Sequence, residues 1–242
     1  MKLVIDIGNT RVKAAVFKGD TLFDLVIFEK KKIISEVKKI LKKEGFSTGI
    51  MSSVASISEK KLKKLQGLLE FQLVSSSTRV PFINLYKSPN TLGVDRIALV
   101  VNAVKRYPNR NVLILDAGTC ITFDFVNSKS EYFGGAISPG IEMRFKALNK
   151  FTSKLPLLEK EFVKDFIGQT TKESINSGVV NGVIKEIDGV IKEYKEKFGH
   201  LTVVLTGGDT NFLAKQLKSS IFANQNFLLQ GLNEILIFNE DK

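Results

Sequence analysis

The chain has 242 residues, room for one large domain or two of roughly 110–130. Hydrophobic residues make up 43%, ample for a packed core, yet no apolar run reaches the roughly 18 residues of a membrane-spanning helix. A lone cysteine, Cys120, excludes an internal disulfide framework and points to a reducing compartment, and a lone histidine, His200, leaves Ser-His-Asp and histidine–zinc chemistry without partners.

The sequence opens directly on an apolar strand, residues 2–6, without the charged and apolar regions of a secretion leader, so no signal peptide is expected. Strands follow at 12–17 and 21–28. A helix at 33–43 has Gly45 as its stop signal. A strand at 49–53, a helix at 59–69 behind Ser58, and a strand at 71–74 complete a βββαβαβ unit. Residues 75–90, with Pro81 and Pro89, read as a loop. A helix opens at Leu92 and runs to about Arg106, ended by Pro108. The plan then repeats. Strands are expected at 111–116, 119–126 and 131–137, then a helix to about 150, an irregular stretch at 152–168, and a long helix at 171–198. A strand at 201–205 and helices at 211–217 and 231–238 finish the chain.

The formal charge of +11 comes from 36 Lys and Arg against 25 acids. Many lysines sit on the helices at 30–43 and 59–69, interleaved with apolar residues at helical spacing, which describes a solvated helix face. Aromatic residues are not interleaved as stacking platforms, so nucleic acid is not the expected partner.

Two stretches carry the chemistry. In the first, a buried strand delivers Asp6, followed by Ile7, Gly8, Asn9, Thr10, Arg11, Val12 and Lys13. The carboxylate suits Mg²⁺, directly or through water, because that ion keeps several waters. Gly8 lets backbone approach phosphate oxygens, and both Gly8 and Asn9 tolerate positive φ in a tight turn. Thr10 and Lys13 can donate to phosphate. The second stretch, Asp116–Ala117–Gly118–Thr119 ahead of an alternating strand, restates the first close to half a chain later. A single Asp-x-Gly is an ordinary turn; two copies at that spacing argue duplication, with a carboxylate on each wall of a cleft. Cys120, in the second turn, reads as a small buried residue.

Other turns stay open to bland readings. Thr206–Gly207–Gly208–Asp209, between strand and helix, suits a flat anionic ligand or is a plain turn capped by Asp209. Gly134 to Gly140 calls for close backbone approach or is an edge bulge. Asp95 and Arg96, beside Gly93 at a helix start, give an acceptor and a bidentate donor on one patch, or Asp95 is simply a cap. Gly178, Gly182 and Gly189 weaken the long helix and suggest that something packs against it.

Together these motifs resemble the actin, sugar-kinase and Hsp70-type ATPases. More specifically, Asp6 to Lys13, the Tyr86–x–x–Pro89–x–x–Leu92–Gly93–x–Asp95–Arg96 string, Asp116 to Thr119, Gly134 to Gly140, and Thr171 with Ser177–Gly178 resemble the type III pantothenate kinases, in order and through nearly the whole chain. The resemblance implies an α/β chain with a duplicated ribonuclease H-like (actin-like ATPase) fold, two βββαβα-type halves around a central cleft. The halves would be residues 1–88 and 109–242, with 89–108 bridging. It implies ATP-dependent phosphorylation of the pantothenate 4′-hydroxyl, the first step of coenzyme A biosynthesis. Asp6, Ile7, Gly8, Asn9, Thr10, Arg11, Val12, Lys13 and Thr119 would bind ATP. Tyr86, Gly93, Val94, Asp95, Arg96 and Thr171 would bind pantothenate, with Asp95 the catalytic proton acceptor. Asp6 would serve Mg²⁺ and Asp116 a K⁺ or NH₄⁺ ion. The family's likeness further implies a cytoplasmic homodimer, with Thr171 reaching the partner's site. Two alternatives are another small-molecule kinase of the same fold and a non-catalytic accessory transcription regulator.

Overall fold

The computed structural model describes residues 1–43, 45–53 and 57–240. Two compact units emerge. The first comprises residues 1–109, 129–133 and 226–242; the second comprises 110–128 and 134–225.

In the first unit, β1 (Lys2–Ile7), β2 (Val12–Lys18) and β3 (Thr21–Phe28) form an antiparallel meander, and β4 (Thr48–Ser53) and β5 (Phe71–Leu73) extend it in parallel. The strand order is β3-β2-β1-β4-β5. One face buries Leu3, Ile5, Ile7, Val12, Ala14 and Val16 against α1 (Ile33–Leu41) and α2 (Glu59–Gln66). These strands are near-continuous apolar runs because helices cover both faces. On the other face lie α3 (Val94–Arg106) and α8 (Phe227–Glu240), which pack on each other and, in the case of α8, on β1 and β4. Gly231 makes that pairing close: a Cβ there would fall 1.9 Å from the Ala98 carbonyl oxygen. Buried Asn102 donates to the Phe227 carbonyl at 2.7 Å.

The second unit repeats this topology. Strands β7 (Asn111–Ala117), β8 (Cys120–Val126) and β9 (Glu131–Pro139) correspond to the first meander, and β10 (Leu201–Thr206) and β11 (Phe222–Ala223) add in parallel. The order is β11-β10-β7-β8-β9, the first sheet's order written in reverse. Within the first unit, a short β6 (Ile83–Asn84) pairs in parallel with Glu131 and Tyr132 at the start of β9. Helices α4 (Ile141–Lys150), α5 (Thr171–Asn176), α6 (Gly182–Phe198) and α7 (Thr210–Leu213) follow in chain order. The core is built from Leu113, Leu115, Phe123, Phe125, Val203 and Leu205 against Phe145, Val180, Val183 and Ile187. The duplicated ribonuclease H-like architecture is therefore present, and the duplication extends to register. Asp6 lies opposite Lys13 on the antiparallel neighbour and Ser52 on the parallel one; Asp116 lies opposite Thr122 and Thr206.

Several expectations shift. The last helix starts at Phe227, ahead of its expected start, because buried Phe227 and Leu229 extend its packed face. It groups with the N-terminal unit, as do residues 129–133, whereas residues 109–242 were expected to form one half. The loop at 75–90 contains β6. The helix expected at 211–217 is a single turn, α7. The helix expected from 171 to 198 is interrupted by a π-helical segment, Ser177–Asn181. Gly178, Gly182 and Gly189 are exposed, and among the described residues nothing lies within 4 Å of a Cβ added at any of them.

Candidate active site

The β1–β2 hairpin closes with the Gly8 N–H donating to the Arg11 carbonyl at 3.1 Å. Neither Gly8 nor Asn9 has positive φ, contrary to expectation. Gly8 is suited instead by crowding, since a Cβ would sit 3.2 Å from the Arg11 oxygen. Asn9, Thr10 and Arg11 are exposed at the tip, while Ile7 and Val12 are buried beneath it.

Asp6 and Lys13 are half-buried cross-strand partners. The fully buried Ser52 hydroxyl donates to Asp6 Oδ1 at 2.9 Å. Burial pushes the Asp6 carboxyl up to about 6; the Ser52 bond and the Lys13 charge oppose the rise, and the charge of Asp95 adds to it. Asp6 and Asp95 thus share one electrostatic neighbourhood. Such a raised acid, with one short donor and a lysine beside it, fits a divalent cation: the metal would relieve a charge the fold leaves undercompensated.

Asp95 is the second residue of α3, and Gly93 is the residue preceding the helix. The Asp95 Oδ1 accepts from the Arg96 N–H at 2.8 Å, and a Cβ on Gly93 would fall 2.4 Å from that oxygen. The Gly-x-Asp spacing is thereby explained: glycine leaves the volume that the carboxylate occupies. Val94 and Asp95 are half-buried and Arg96 is buried. The Arg96 guanidinium carbon lies 5.5 Å from the centre of the Tyr86 ring, a cation–π contact. Sequence reading brought Tyr86 and Gly93 to Arg96 together; it missed Ser52, whose only signal was its place at the end of the neighbouring parallel strand.

In the second unit, Asp116 is half-buried at the end of β7, and Thr119 is exposed in the turn that follows. Two backbone segments crowd this turn. A Cβ on Gly140 would lie 2.1 Å from the Gly118 oxygen, and one on Gly207 would lie 2.3 Å from the Ala117 oxygen and 2.4 Å from Asp116 Oδ1. Gly207 also has φ +97. The Asp209 N–H donates to the Ala117 carbonyl at 2.9 Å. Asp209 makes no side-chain cap; its carboxylate pairs with Lys160. The late glycines thus serve close backbone approach around Asp116. Cys120 is half-buried.

Thr171 is exposed at the first turn of α5, which is closed by a capping box between Thr170 and Glu173. The neighbouring residues Thr170 and Lys172 line a cavity of about 440 Å³ with Glu161, Phe162 and Asn176, but Thr171 is not among the lining residues. Among the described residues no helix is long and apolar enough to cross a membrane.

A family described as type III pantothenate kinase matches residues 2–193. A type III pantothenate kinase from Christiangramia forsetii is 49% identical over 99% of both chains. The one from Flavobacterium johnsoniae is 42% identical over 100% of this chain and 99% of its own. Among solved structures, a Campylobacter jejuni protein named for the Baf family of transcriptional activators superposes with a TM-score of 0.63 at 22% identity, covering 99% of this chain and all of its own. A ROK family protein from Streptococcus pneumoniae gives 0.52 at 10% identity, over 98% and 99%. These two likenesses carry the fold alone. The sequence relationships, spanning essentially the full length, carry more: the chain belongs to the type III pantothenate kinase family.

Proposed function

We infer that this chain is a pantothenate kinase, moving the ATP γ-phosphoryl group to the 4′-hydroxyl of pantothenate at the entry to coenzyme A biosynthesis. The observation that carries the reading of the site is the Asp6 carboxylate, bonded by the buried Ser52 hydroxyl, opposite Lys13 and close enough to Asp95 to feel its charge.

Phosphoryl transfer needs alignment and neutralised charge more than covalent help. The turn from Asp6 to Lys13 would receive the ATP phosphates: backbone at Gly8 approaches their oxygens, and Thr10 and Lys13 donate. Asp6, with Ser52 fixing its orientation, would hold Mg²⁺ directly or through water; when bound, that ion neutralises charge on the β- and γ-phosphates. Asp95 would take the proton of the 4′-hydroxyl as the new O–P bond forms and the bond to the bridging oxygen of ADP breaks. Arg96 and Tyr86 would bind the acceptor, the Arg96 guanidinium holding the carboxylate or polar end of pantothenate. Asp116 would anchor K⁺ or NH₄⁺, and Thr119 would contact ATP. The enzyme would act in the cytoplasm as a homodimer, with Thr171 completing the partner's acceptor site. Exposed Gly178 and Gly182, with open space over them, are compatible with a partner helix lying there.

A panel assay tests the reading. ATP consumption with pantothenate should exceed that with sugars or acetate by orders of magnitude, and should rise with K⁺ over Na⁺. Comparable turnover across the panel would favour a different small-molecule kinase.

A further inference from the structure

Tyr86, whose ring meets the Arg96 guanidinium, is held by Tyr132 and Asn84, and Tyr132 in turn by Phe82, three side chains that no motif includes. Tyr132, near the start of β9, is fully buried, and its ring centre lies 6.2 Å from that of Tyr86 at an interplanar angle of 33°. Phe82, also buried, meets Tyr132 edge-on at 5.8 Å and 70°. The backbone is fixed as firmly. Asn84 is paired with Tyr132 in register, the Leu85 N–H donates to the Tyr132 carbonyl at 2.9 Å, and the Ile83 N–H donates to Ser130 at 2.8 Å. Asn84 Oδ1 then accepts from the Tyr86 N–H at 3.0 Å, an Asx turn that redirects the chain at the tyrosine. A two-residue strand has far more anchoring than its length requires, and all of it converges on the orientation of Tyr86.

We propose that Tyr132 and Asn84 are positioning residues for the acceptor: the Tyr132 ring sets the plane of Tyr86, and the Asn84 carboxamide sets its backbone direction. Tyr86 and Arg96 are thereby presented as one preformed patch to a small hydroxylated carboxylic acid. The proposal rests on the reading of Tyr86 and Arg96 as acceptor residues. Preformed geometry of this kind spares the acceptor the cost of ordering its own site, so its loss reads in acceptor binding and not in the nucleotide.

The experiment measures KM for pantothenate and for ATP in four variants. Tyr132→Leu should raise the pantothenate KM about 3- to 10-fold, the order expected for losing one aromatic pair, with the ATP KM unchanged. Tyr132→Phe, which keeps the ring, should stay within about twofold of wild type. Should Tyr132→Leu fail to fold, Asn84 decides: its side chain is exposed, so Asn84→Ala keeps the fold and should raise the pantothenate KM alone, while Asn84→Asp, which keeps the acceptor oxygen, should restore it. An unchanged pantothenate KM in Asn84→Ala, or equal losses for both substrates in Tyr132→Leu, overturns the proposal. Arg96→Ala is run alongside. If it raises the pantothenate KM while the Tyr132 and Asn84 variants do not, the positioning role alone falls; if it too leaves that KM unchanged, the acceptor reading falls with it.

Discussion

Replacing Asp6 by Asn should make the unliganded protein more stable and the enzyme inactive. The Asp6 carboxyl stands at about 6 in the folded chain against an ordinary value of 3.8, because burial disfavours its charge more than Ser52 and Lys13 favour it. The sign is the reverse of the usual carboxylate case. Between pH 3.8 and 6 the folded state binds the proton more tightly than the unfolded state does, so this group's contribution to stability falls as pH rises through that window and is fully unfavourable above it. The difference of about two pH units corresponds to about 3 kcal/mol at pH 8, as an upper figure. Asparagine keeps an oxygen for the Ser52 hydroxyl and carries no charge to desolvate. For a chain of this length, about 2–4 °C per kcal/mol puts the rise in Tm near 6–12 °C at pH 8, shrinking towards zero at pH 4. Thermal melts of wild type and Asp6→Asn across pH 4–8, without nucleotide or Mg²⁺, read this directly. A variant that melts at or below wild type at pH 8 would refute the claim that the fold holds an undercompensated charge there. The same group should make kcat/KM for MgATP fall as pH drops through about 6, since the free enzyme must ionise to receive the metal.

Asp95→Asn keeps the volume beside Gly93 and an oxygen for the Arg96 N–H, so stability should hold while turnover drops about 10²–10⁴-fold, measured at saturating pantothenate. Asp116→Ala should abolish the difference between K⁺ and Na⁺ in steady-state assays. Gly207→Ala should lower Tm and weaken the K⁺ response together, because its Cβ must displace the Ala117 carbonyl or the Asp116 carboxylate. Gly178→Leu points into open space and should leave the protomer folded; if the proposed dimer forms through this helix, sedimentation should show wild type as a dimer and the variant as a monomer.

The fold was legible because its signals are local. Apolar strands ending in Asp-x-Gly announce both hairpins, and the repeat fixes the duplication. What was not legible depends on distant partners. The last helix is expected only from Gly231, and its first turn, Phe227 to Gln230, is missed, because Gly231 sits inside the helix only by virtue of the Ala98 carbonyl packed against it. Its return to the N-terminal unit follows from packing on α3, β1 and β4, contacts that no local pattern encodes. The site divides in the same way. Asp6, Asp95 and Asp116 stand in recognisable strings, whereas Ser52 and Tyr132, proposed to orient Asp6 and Tyr86, come to those residues only through register with a neighbouring strand. The bland reading of Asp209 as a helix cap failed because Lys160, from a stretch without periodicity, takes its carboxylate.

The most direct test of the central claim follows the product itself. Incubation with ATP, Mg²⁺, K⁺ and pantothenate, read by phosphorus NMR and mass spectrometry, should give ADP and 4′-phosphopantothenate in equal amounts from wild type, and only a trace in the same time from Asp95→Asn. Absence of the phosphorylated acceptor with the wild-type protein, or its formation at an undiminished rate by Asp95→Asn, would contradict the account.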